Sequence, residues 1–172
     1  MPLTEKKYRV EEFAHIEKLL KKAGAKEVKH VTSTHYYGEH EGNDVEKFVV
    51  YPDRVEIHVL KESEGKFALT ESKLIAGKEE GFVWLKNRGY TKADVVDMDY
   101  TEYEYKNGIV GLYIIDDYLF SVVLSFPAGQ HEQIEKDFGL ETAEVIRPPY
   151  NKYLASLDRL RARELSSFIH TA

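Results

Sequence analysis

Three short clusters of charged residues alternate along this chain with the spacing of one strand face. Glu5, Lys7 and Arg9 form the first, Arg54, Glu56 and His58 the second, and Asp97 with Asp99 the third. Successive side chains of a strand point to opposite faces, so each cluster would present its members together. Lys and Arg on such a face can neutralise a phosphate, and a carboxylate such as Glu5 can share a divalent cation. His58 would stand among them as a proton carrier near neutral pH. Lys73 adds a cation on a later candidate strand. The opposing reading of every cluster is a solvated strand face laced by ion pairs.

His30, His35 and His40, with Glu39 and Glu41, make a denser patch whose residue types suit zinc or nickel. Its even spacing matches neither a strand face nor a helix face, so a polar loop is the expectation. No glycine-rich phosphate loop follows a strand, and no Gly-x-Ser-x-Gly elbow occurs. The chain has no Cys, which removes disulfides and thiolate chemistry. A net charge of −6 gives no general attraction to nucleic acid or to an anionic membrane. No apolar run reaches the length of a membrane span. A cytoplasmic protein with no nucleic-acid and no membrane partner is the expectation.

The elements that must position these residues are legible in the hydrophobic pattern. Leu3–Val10 reads as a first strand. A helix opens at Glu11-Glu12, carries the stripe Phe13, Ile16, Leu19, Leu20 and Ala23, and stops at Gly24. Strands follow at Lys26–Tyr37, Val45–Tyr51, Arg54–Lys61 and Lys66–Ile75. A short helix covers Lys78–Arg88. Val95–Phe126 reads as an antiparallel meander of three strands, turning at Lys106-Asn107-Gly108 and at Asp116-Asp117. In its last strand Tyr118, Phe120, Val122, Leu124 and Phe126 share one face, and Leu119, Ser121, Val123 and Ser125 the other. Gln130–Phe138 is a short helix. Tyr150–Ile169 reads as a long amphipathic helix with Leu154, Leu157, Leu160, Leu165 and Phe168 in its stripe.

This order predicts a single domain over residues 1–172 of the α+β class. Its sheet is mostly antiparallel, a closed barrel or tunnel of about eight strands with flanking helices. An open sheet with helices on one face is the alternative.

From Leu3 to about Leu157 the chain resembles the CYTH superfamily, the triphosphate tunnel fold of class IV adenylate cyclases, thiamine triphosphatases and inorganic tripolyphosphatases. Leu3–Val10 resembles the family's opening Glu-x-Glu-x-Lys strand, matched by Glu5 and Lys7. Arg54–His58 stands at the Arg-x-Arg strand, and Phe67–Thr70 with Lys73 at the Leu-Thr-x-Lys strand. Val95–Tyr105 stands at the Lys-x-Arg strand, Tyr118–Leu124 at the final Glu-x-Glu strand, and Asn151–Leu157 at the closing Ser-Tyr-Leu helix. The resemblance implies a tunnel in which basic residues hold a triphosphate and carboxylates hold Mg²⁺ or Mn²⁺.

The departures are as specific as the matches. Leu3 replaces the first Glu, Glu56 and His58 replace the Arg pair, and Asp97 and Asp99 replace the Lys-x-Arg pair. The final carboxylates fall on Val122 and Leu124, or one residue away on Ser121 and Val123. The resemblance therefore implies a tunnel protein with a degraded active site. It would bind a phosphorylated or other anionic small molecule through Glu5, Lys7, Arg9, Arg54, Glu56, His58 and Lys73. No cofactor is required on this reading; Mg²⁺ or Mn²⁺, with Glu5 as a ligand, belongs to the catalytic one. That rival reading is a divergent triphosphatase or adenylate cyclase-like enzyme. A third is an interaction module whose long C-terminal helix packs on a partner or on its own copy as a homodimer.

Overall fold

The computed structural model describes residues 2–168. Strand β1 (Leu3–Val10) leads into helix α1 (Ala14–Lys22). Four strands follow: β2 (Lys26–Gly38), β3 (Val45–Val50), β4 (Val55–Ser63) and β5 (Lys66–Ile75). Helix α2 (Lys78–Asn87) precedes the meander of β6 (Lys92–Tyr105), β7 (Gly108–Ile115) and β8 (Leu119–Pro127). Helix α3 (His131–Phe138), strand β9 (Glu144–Ile146), helix α4 (Tyr150–Ser156), strand β10 (Arg161–Glu164) and a 3₁₀ turn at Leu165–Phe168 complete the order. The architecture is the expected antiparallel α+β type, with β9 and β10 as additions to the strands read from sequence. Among the described residues no helix is long and apolar enough to cross a membrane.

The chain forms two compact units, each assembled from two segments. The first comprises the chain up to Val31 with Met98–Arg147, and the second Thr32–Asp97 with the chain from Pro148. The long strands β2 and β6 each supply residues to both.

In the first unit the strands run in the order β6, β7, β8, β1, β9, all antiparallel. The alternation of β8 does what its sequence implies. Val122, Leu124 and Phe126 are buried with Tyr8, Val110 and Leu112, and α1 and α3 cover them with Ile16, Leu20, Ile134 and Phe138. The first hairpin turns on Lys106-Asn107, within the Lys106-Asn107-Gly108 turn read from sequence, and Lys106 takes the left-handed φ of 51°. Gly108 serves packing instead: a Cβ there would lie 2.3 Å from the Phe126 ring and 2.4 Å from the Ser125 carbonyl oxygen.

In the second unit β5, β4, β3 and β2 form consecutive antiparallel pairs. Tyr36, Phe48, Val55, Ile57, Val59 and Ile75 pack under Phe82 and Leu85 of α2. Tyr36 stacks on Phe48 at 4.8 Å, and Phe82 meets both rings edge-on at 5.0 Å.

The long C-terminal helix is a correction. Helix α4 ends at Ser156, and Asp158 takes a left-handed φ of 55°, which the helix cannot continue through. Residues Arg161–Glu164 then pair with Val95–Lys92 of β6, and the Leu165 N–H donates to the Thr91 carbonyl at 2.9 Å. Leu165 is buried in the second core. The helical spacing of its leucines is real, but a strand with an unfilled edge and an open place in the core decided the backbone. The apolar stripe on which self-association or partner docking rested is therefore not formed. Ile169, its last residue, lies outside the described residues.

Helix α2 approaches the sheet closely because Gly81 faces Phe48. A Cβ on Gly81 would lie 2.5 Å from the Phe48 ring. Gly81→Ala should therefore destabilise the protein by about 1–3 kcal/mol despite alanine's better helix propensity. Urea denaturation checks this, and a stabilised Gly81→Ala would mean that α2 does not sit against Phe48.

Candidate functional site

The ladder registers decide which side chains share a face. In β1, Glu5 lies opposite Ser125, Lys7 opposite Val123 and Arg9 opposite Ser121. On its other side Lys7 faces Ile146 and Arg9 faces Glu144. The row continues through Tyr113 and Gly111 of β7 to Tyr100 and Glu102 of β6. Directly opposed residues project to the same side, so these form one polar face. Tyr8, between Lys7 and Arg9, is fully buried on the other. Burial draws the Lys7 amine down to about 8, against the opposing pull of Glu5. The Arg9 guanidinium lies 5.9 Å from the Tyr118 ring centre. Tyr100 and Tyr113 stack at 4.4 Å, and Lys29 pairs with Glu102 at 3.4 Å.

The second cluster lies in the second unit. Arg54 Nε and His58 Nε2 both bond Glu56, His58 at 2.9 Å. Arg54, then His58, hold the Glu56 carboxyl below its usual range. His58 lies opposite Lys47 in the ladder, and Tyr37 lies opposite Lys47 on the other side. Lys47 Nζ stands 2.9 Å from His35 Nδ1, and His35 Nε2 stands 2.9 Å from Ser33 Oγ. His58 is lowered chiefly by burial, which outweighs its Glu56 partner.

Lys73 does not join this cluster. An irregularity in the β4–β5 pairing at Val59/Leu60 resets the register, so Lys73 falls opposite Ile57, on the side away from Glu56 and His58. Asp97 accepts from Thr34 at 2.7 Å and from Arg161 at 3.1 Å, and Asp99 pairs with His30 at 2.7 Å. Both aspartates are surface groups. The histidine patch is dispersed: His30 is on Asp99, His35 on Lys47 and Ser33, and His40 beside Tyr90. Sequence reading passed over Ser33 and Lys47. The available signal was Lys47 standing inside Val45–Val50, a strand otherwise apolar on that face.

No protein-family model matches the chain, and no curated protein matches it. Solved structures do. A protein from Pyrococcus horikoshii superposes with a TM-score of 0.72 at 16% identity, covering 86% of this chain and 96% of its own. A putative adenylate cyclase from Bacillus halodurans gives 0.61 at 10% identity, covering 90% and 96%. A putative adenylyl cyclase from Hippeastrum, described as having a dominant triphosphatase activity, gives 0.50 at 11%, covering 98% and 100%. The chain has the CYTH fold.

The final carboxylate pair that the resemblance implies for a divalent cation has no counterpart on β8. The β8 residues that share a face with Lys7 are Ser121, Val123 and Ser125, while Val122 and Leu124 are fully buried in the core. A hard cation takes six or more oxygen ligands, with carboxylates first among protein donors. Among the described residues no group of three His, Cys, Asp or Glu side chains is placed to hold one ion.

The Lys7 amine has a consequence for stability. Its folded pKa of about 8 lies below the ordinary lysine value of 10.5. The unfolded chain therefore binds more protons between those values, and stability rises with pH across that window. Below pH 8 the full cost of burying the charge is present. Lys7→Met should stabilise the CYTH-fold protein by about 2 kcal/mol at pH 7 and by much less near pH 10. Equal unfolding midpoints at pH 7 would show that the amine is not desolvated.

Proposed function

We propose that this protein binds a phosphorylated small molecule through the Lys7 face and has lost the metal-dependent triphosphate chemistry of the fold. The observation that carries the reading is Lys7 itself. Its ammonium is drawn into the protein far enough to lower its pKa to about 8 despite Glu5, and Arg9 stands beside it on the same face, so two cations converge there. Phosphate oxygens are the acceptors that Lys and Arg neutralise best together.

The opposite side of the reading is the missing acid. Where β8 would need carboxylates beside Lys7 it has Ser121, Val123 and Ser125. Glu5 and Glu144 are the acids that the β1 registers place on this face. A bound phosphate would therefore meet cations and hydroxyls rather than a metal held between carboxylates. The β4 cluster of Arg54, Glu56 and His58 adds a second basic group of side chains, in the second unit.

The rival, a divergent triphosphatase, makes a different demand on the same experiment. Calorimetric titration with inorganic tripolyphosphate at low salt, with and without Mg²⁺, is paired with a phosphate-release assay on the same sample. Binding is expected without Mg²⁺ enhancement and without release. It should weaken about tenfold in Lys7→Met and also as the pH rises above 8, where the amine loses its charge. Mg²⁺-stimulated release would establish the rival. No detectable binding would overturn anion recognition altogether.

A further inference from the structure

Strand β5 ends its row of strands. Among the described residues it pairs with β4 alone, and eight of its ten residues are exposed. An end strand carries a line of backbone N–H and C=O groups with no ladder partner, which makes it a template for another strand. This edge also carries apolar side chains. Leu69 is 55% exposed and Leu74 66%, the highest values among the described large hydrophobic residues.

The register sorts the β5 side chains. Leu69 lies opposite Leu60, Ser72 opposite His58 and Leu74 opposite Glu56, so these three share the Glu56–His58 face. The irregularity at Val59/Leu60 accommodates the odd spacing of the two leucines. Glu71 lies opposite Val59 and Lys73 opposite Ile57, which puts both on the other face. They are exposed, and among the described residues neither has an ionic partner in its own chain. From Glu71 to Ile75 the strand runs regularly along Val59–Val55.

A second copy of β5, antiparallel and related by a two-fold axis at Ser72, matches both faces at once. Glu71 then opposes Lys73 of the second copy, and Lys73 opposes its Glu71. Symmetry makes two ion pairs from charges that the single chain leaves unpaired. On the other face Leu74 comes beside Leu69 of the second copy, at each side of the serine pair. Other registers lose these matches. A slip of one residue sets Glu71 against Ser72 or Leu74, and a slip of two sets Glu71 against Glu71 or Lys73 against Lys73.

We propose that β5 is the docking edge for a second copy of this chain, giving an antiparallel dimer with Glu71–Lys73 pairs across the two-fold axis. The pairing consumes the β5 edge of both copies, so growth stops at two. It uses a strand edge in place of the C-terminal helix stripe, which is not formed. No residue of the Lys7 reading takes part, so either can fail alone.

The test is analytical ultracentrifugation of the full-length protein at low salt, from low micromolar concentration to about 1 mM. A shift from monomer to dimer is expected. A monomer throughout, or growth beyond the dimer, overturns the proposal. Glu71→Lys and Lys73→Glu each set like charges against one another at both crossings, and each should weaken association about tenfold. Mixed in equal amounts, the two variants should associate again, because Lys then faces Glu at both crossings. The double variant Glu71→Lys/Lys73→Glu should also associate. Both substitutions are at exposed positions, and an unchanged circular dichroism spectrum confirms that the fold is kept. Association that survives both single variants unchanged, or a mixture no stronger than its components, overturns the β5 register.

Discussion

Tyr8 fixes the side on which β1 presents its charges. Its ring is fully buried in the first core, and its hydroxyl donates to Glu135 of α3, which also takes Lys6 at 2.7 Å. Because side chains alternate, burying Tyr8 places Lys7 and Arg9 on the opposite face. A slip of one residue would drive Lys7 into the aliphatic core and turn Tyr8 out. Burying a ring of this kind contributes about 2–3 kcal/mol. The lowered pKa of Lys7 corresponds to a cost of about 3 kcal/mol. One side chain therefore only offsets the other. The joint burial of Val122, Leu124 and Phe126 with Tyr8 decides the register.

The same division holds in the second unit with different parts. Tyr36, Phe48 and Phe82 form an aromatic cluster on one side of the strands, with Gly81 allowing α2 to reach it. Their neighbours in sequence, His35, Tyr37 and Lys47, are thereby set on the other side. The apolar faces supply the stability that lets each unit keep buried or half-buried basic groups on the other face. Residues costly to the fold and not required by it are where function is to be sought.

The departures from the resemblance acquire a physical form in the registers. The two ways of aligning the final strand differ in register and not in burial: all four residues are buried, Val122 and Leu124 across from Tyr8 and Lys6, Ser121 and Val123 across from Arg9 and Lys7. Neither alignment supplies a carboxylate. The irregularity between Val59 and Leu60 explains why Lys73 parts company with His58, although the two strands pair along their length.

By itself the sequence determined the elements whose pattern is local. The alternation of β1, β4 and β8, the α1 stripe and the breaks at Gly24 and Gly139 follow from period and backbone preference, which neighbours in the chain already specify. It also determined that the final strand carries no carboxylate at either alignment, because an absent side chain needs no coordinates. Tertiary structure decided whatever depends on a distant partner. The segment Arg161–Glu164 became a strand because β6 offered it an edge, against its own helical spacing. His35 left the apparent loop patch for Lys47, twelve residues away, because strand pairing brings β2 and β3 side by side.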